Sequence, residues 1–78
     1  MTFETIKEQL QEFLTAHLDA MNSTNDFYDR RTIFDQAFGA VMFSAINLSQ
    51  NHKQAQELSA LWDNDWRKEF EKILYKTP

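Results

Sequence analysis

Apolar residues recur at steps of three and four through the middle of the chain: Ile33, Phe34, Ala37, Phe38, Val41, Met42, Ala45 and Leu48. At about 3.6 residues per turn they share one arc of roughly half a helix circumference, which predicts a helix over about residues 27–49 with that arc as its core face. Phe43 and Ile46 fall outside the arc, with Tyr28 and the lone Gly39 on the same far side. A glycine inside a helix costs about 1 kcal/mol relative to alanine. An apolar back opposite an apolar front is the most informative feature of the pattern.

Upstream, Phe3, Ile6, Leu10, Phe13, Leu14, His17, Leu18 and Met21 keep the same period. They predict an amphipathic helix over about residues 3–21 with Thr2 as its N-cap. The polar run NSTND, Asn22 to Asp26, stops it. Asp26 followed by Asp29 is a variant of the capping box and places acidic groups in the first turn of the second helix, where the dipole favours them. Asn51 followed by Gln54 is a better capping pair, so a third helix starts there and runs over about residues 52–75. Its apolar face is the ladder Ala55, Leu58, Trp62, Trp66, Phe70, Ile73 and Leu74. Asp63, Asn64 and Asp65 offer a start for a separate last helix, but the ladder keeps its phase across them, which favours one helix. Thr77 and Pro78 are expected to fray.

Three long helices joined by short connections predict an all-α, up-down-up three-helix bundle, a single helical domain over residues 1–78. One glycine and one proline, the last residue, leave too little punctuation for a β fold. In that arrangement the start of helix 2 lies near the end of helix 3, so Arg30 is expected to meet Glu69 in a partly shielded ion pair. Phe38, on the core arc, is expected to cost about 3–5 kcal/mol when cut back to alanine.

Composition narrows the class further. At 42% hydrophobic and 14% aromatic the chain is well above the range of disordered segments and should fold. Without cysteine it has no disulfide framework or thiolate metal site, which fits a reducing cytoplasm. The start MTFETIKEQL has no basic leader before an apolar block, so no signal peptide is expected. No apolar run approaches the ~18–20 residues that span a bilayer, so neither membrane insertion nor any location but the cytoplasm is expected. A net charge of −4 argues against direct nucleic-acid or anionic-membrane binding as the main role.

Three groups of residues are candidates for function. The first is the back of helix 2: Tyr28, Gly39, Phe43 and Ile46, with Met42 counted among them. An exposed contiguous apolar patch on a small protein usually means binding, and a homodimer is the commonest way to cover one. The competing reading makes helix 2 the most buried element, with its neighbours splayed round it. The second group is an acidic stripe on helix 1, Glu4, Glu8, Glu12 and Asp19, which as a docking face would take a basic partner, one that normally holds nucleic acid; as a solvated helix face it needs no partner. The third is His17, expected to approach Trp62 and Trp66 and so to form a small-ligand pocket, though a hydrogen-bonded core histidine and a core tryptophan stripe explain the same spacing.

Catalytic and cofactor motifs are missing. Asp63 and Asp65 open like a calcium loop, but DNDWRKEF has no glycine at its sixth position. Phosphate loops, serine elbows and Glu-x-x-His do not occur. KQAQELSA, at the start of helix 3, has one lysine and no arginine to face DNA. The sequence therefore points to a small acidic protein-binding module, regulatory or accessory, acting as a homodimer without metal or cofactor, rather than to an enzyme.

Overall fold

Residues 2–76 are described by a computed structural model, and they are all-α. The elements are α1 (Phe3–Asn22), α2 (Phe27–Phe43), α3 (His52–Leu61) and α4 (Arg67–Leu74). A π-helical turn, Ser44–Leu48, prolongs α2, and a second, Trp62–Trp66, joins α3 to α4 without a break. The chain thus forms three helical rods, as its periodicity predicts. Thr77 and Pro78, where fraying is expected, lie outside the described residues.

The expected caps set each rod's start. Thr2 Oγ1 accepts from the Thr5 N–H at 3.2 Å. Asp26 Oδ1 accepts from the N–H groups of Tyr28 at 2.8 Å and Asp29 at 3.4 Å. Asn51 Oδ1 accepts from the Gln54 N–H at 2.9 Å, while Gln54 Oε1 accepts in return from Gln50 N–H at 2.8 Å. That returning bond reaches one residue before the cap, so the box also fixes the chain entering α3.

The third rod stays in one piece because of its π turn. Each step of four residues on an α-helix advances about 400°, a drift of about 40°, so a strict four-residue ladder winds off the core within a few turns. One extra residue in the turn at Trp62–Trp66 sets the phase back by about 100°. Leu58, Trp62, Phe70 and Leu74 are consequently all buried.

These four pack with Leu10, Leu14 and Met21 of α1 and Ala37 and Val41 of α2 in one core. At its centre the rings of Trp62 and Phe70 stand 5.3 Å apart, and Phe34 approaches them at 5.7 and 6.3 Å. Contacts run in opposite order along α2 and the third rod. Arg30 at the start of α2 meets the end of α4, and Phe38 two turns on meets Trp62. Near the other end Lys7 of α1 pairs with Glu57 of α3 at 3.0 Å.

Two expectations about α2 are corrected. Arg30 does not pair with Glu69. Its guanidinium is buried, 4% exposed, and Nη1 donates to the carbonyls of Ile73 at 2.8 Å and Lys76 at 3.0 Å. The Ile73 carbonyl also accepts from the Lys76 N–H at 3.2 Å, so the guanidinium adds to the closing turn of a helix C-terminus, where the dipole favours a cation. Glu69 lies on the exposed flank and meets Lys72 at 3.3 Å.

The buried arc of α2 is also turned by roughly 40° from the expected one, towards Ala40 and Ser44. Ala37, Val41, Ser44 and Ala45 are buried, whereas Phe38, Met42 and Leu48 are exposed. Small side chains let the other rods come close, and the bulky ones are pushed to the flanks. Phe38, 43% exposed against Trp62, is therefore expected to cost about 1–2 kcal/mol on Phe38→Ala, the share of a half-buried aromatic. Urea unfolding checks this, and a loss above about 3 kcal/mol would return Phe38 to the core.

Candidate functional site

The Cα trace spans 42 × 19 × 16 Å, an elongated bundle of three rods. Directly opposite the buried arc of α2, Tyr28 is 80% exposed, Ile46 71% and Phe43 58%, with Gly39 and Met42 also on the surface. The alternative in which helix 2 is wrapped by its neighbours does not describe this arrangement.

The end of α2 and its π turn form a ridge with a groove on each side. One groove, about 470 Å³, lies towards α1 and is lined by Ile6, Leu10, Phe13, Gly39, Phe43 and Leu48 among others. The other, about 480 Å³, lies towards α3, where Met42, Ala45, Ile46, Ala55 and Ala60 share the lining with His52, Gln56, Ser59 and Asp63. The ridge is uncharged for a sequence reason: no Asp, Glu, Lys or Arg occurs from Gln36 to Asn51. Charge depletion with exposed aromatics and methionine is the composition of interface cores. Phe13 and Leu48 belong to this surface although periodicity assigned them to core faces, and Phe38 is exposed on a different groove, with Arg31, Asp35 and Arg67. For Phe13 and Phe38 the available signal was their place at the edges of those arcs, Phe13 being next to Leu14, which takes the centre; Leu48 lies mid-arc and closes the π turn Ser44–Leu48, which the periodicity did not show.

Gly39 is the only glycine in the chain. It is helical without a positive φ, and a Cβ built on it would meet nothing within 4 Å. Neither backbone conformation nor packing inside the chain accounts for it, and it costs the helix about 1 kcal/mol relative to alanine.

His17 does not join the tryptophans. Its ring stacks on Phe13 with centroids 3.9 Å apart, and Nδ1 stands 3.0 Å from the Phe13 carbonyl, one turn back on the same helix. Trp62 is covered by Phe34, Phe38 and Phe70, and its remaining edge borders a surface groove with Arg31, Asp35 and Arg67. Trp66 instead faces α1. The expected pocket of His17, Trp62 and Trp66 is not formed: His17 is held by Phe13 of its own helix, while the two tryptophans flank Phe70.

The acidic stripe is divided in the same way. Glu4, Glu8 and Glu12 line a groove of about 470 Å³ with Lys7, Gln11, Thr15 and Trp66, and Asp19 is not part of it. Lys7 is already engaged: its hydrogen bond to Glu57, helped by the Glu4 charge, holds its pKa above the ordinary lysine value. Carboxylates beside an indole suit a cationic group chemically.

Among the described residues, no group of three or more His, Asp or Glu side chains is placed to hold a metal ion. No described helix is long and apolar enough to cross a membrane. Compared with protein-family models, curated proteins and solved structures, the chain matches no family model, no curated protein and no solved structure.

Proposed function

We propose that this chain is a protein-binding module, regulatory or accessory in role, and that it pairs with a second copy of itself through the back of α2. The observation that carries this reading is the exposed ridge of Gly39, Met42, Phe43 and Ile46, flanked by apolar grooves and free of charge. Tyr28 extends the same side towards the start of α2. A helix face of this kind costs solubility and contributes nothing to the fold of one chain, so a binding role is its physical justification. A homodimer needs no second gene product and covers the face on both partners at once.

Phe43→Glu tests the reading. Phe43 lies on the outside, so the variant should keep the helical circular dichroism spectrum and thermal transition of a folded monomer. Light scattering over a range of concentrations should give a dimer mass for the wild type and a monomer mass for Phe43→Glu. A wild type that remains monomeric up to high concentration would sink the homodimer. A variant that is unfolded would place Phe43 inside the fold or make folding and pairing inseparable.

A further inference from the structure

Gly39 has no explanation inside its own chain. Its backbone is ordinary α-helix, and the space where a side chain would stand is open. One turn further on stands Phe43, a large ring 58% exposed on the wall of the same groove. A notch and a knob thus stand next to each other on one uncharged ridge.

Resting on the reading of this face as a homodimer interface, we propose how the second copy sits: the two α2 helices cross antiparallel about Val41. Phe43 of each chain then seats over Gly39 of the other. An antiparallel twofold about residue 41 sets position 39 opposite 43 and position 36 opposite 46, so one operation fills both notches. This is the self-complementary contact that a twofold interface requires.

Charge and area agree with that occupant. Residues 36–46, the span that faces itself under this symmetry, contain no charged side chain. Asp35 and Arg31, the nearest charges on α2, fall at the rim, where they stay hydrated. The exposed portions of Phe13, Met42, Phe43, Ile46 and Leu48 come to on the order of 500 Å², taking about 200 Å² for each large side chain. A standard interface needs about 800 Å² per partner, of which roughly 60% is apolar, so the apolar area of this face matches what a stable pair requires. Tyr28, more than two turns from the crossing, is peripheral.

Exchanging knob and notch is the test. Wild type, Gly39→Leu, Phe43→Ala and the double variant G39L/F43A are compared by sedimentation over a range of concentrations, with circular dichroism on each. A Cβ at Gly39 meets nothing within 4 Å and Phe43 is mostly exposed, so all four are expected to fold, which circular dichroism checks. Each single variant should weaken dimerisation at least tenfold: Gly39→Leu by blocking the notch, Phe43→Ala by removing the knob. The double variant, whose leucine meets an alanine across the crossing, should recover most of the loss. If Gly39→Leu pairs as tightly as wild type, or the double variant is no better than the weaker single, this crossing is wrong while the dimer reading stands. If wild type and Phe43→Glu are both monomers at every concentration, the dimer reading itself has failed and the crossing with it.

Discussion

Phe70→Ala is expected to remove most of the stability of this chain, about 3–5 kcal/mol. Phe70 has no exposed surface and its ring touches three others, with Trp62 at 5.3 Å and Phe34 and Trp66 at 6.3 Å. Truncation deletes the hydrophobic transfer of the ring and leaves a hole that three large, already interlocked rings cannot close. A chain of 78 residues buries only about 60–65% of its unfolded surface. Total stability for such a domain is about 4–12 kcal/mol at the usual figure per residue. The variant should therefore be marginally folded at best at room temperature. Urea unfolding followed by fluorescence of Trp62 and Trp66 measures it directly. A loss below about 1 kcal/mol would mean that the aromatic cluster is not the centre of the core.

Arg30→Ala should follow, at about 2–3 kcal/mol, through a different mechanism. The guanidinium is the tertiary cap of α4: one nitrogen donates to the Lys76 carbonyl and to that of Ile73, which otherwise accepts only from the Lys76 N–H at the end of the helix. Hydrogen bonds to a charged group contribute about 1.5–3 kcal/mol each when one partner is deleted. Two features hold the total down. Nε of Arg30 is buried without a hydrogen-bond partner among the described residues, a cost that the substitution relieves. A cavity of about 100 Å³ bordered by Asn22, Thr24 and Asn25 also gives water a polar route to the freed carbonyls.

Hydrogen exchange should show the last turn of α4 opening in Arg30→Ala before the rest of the fold. Glu69→Gln is the control, expected to change stability by less than about 0.5 kcal/mol because its ion pair with Lys72 is on the surface. If Glu69→Gln were as damaging as Arg30→Ala, an Arg30–Glu69 pair would have to be reinstated.

Sequence pattern and structure part company where the competition is between side chains rather than between conformations. On α2 the periodicity places Phe38, Met42 and Ala37 on one arc, and nothing in a helical wheel says which residues sit at its centre. In three dimensions two rods must approach α2 from different directions, and the closest approach goes to alanine and serine. The large residues then become flanks, which moved Phe38 from core to surface, beside Trp62. His17 follows the same logic. Its spacing allowed a place facing the tryptophans, but the adjacent turn offered Phe13 for stacking and a carbonyl oxygen for Nδ1, and a contact within one helix needs no tertiary partner.

By itself the sequence determined the all-α class, the three rods and their starts, because hydrophobic period and cap chemistry are local and act within a few residues. Thr2, Asp26 and Asn51 cap in the structure as their side chains require. It also determined that one side of α2 carries no charge between Gln36 and Asn51. Only the tertiary structure decided the π turn that keeps Leu58 and Phe70 on one face, the capping of α4 by Arg30 from 43 residues away, and the separation of His17 from Trp62 and Trp66. Those features depend on which surfaces meet, and the distances between surfaces are set by the packing of all three rods at once.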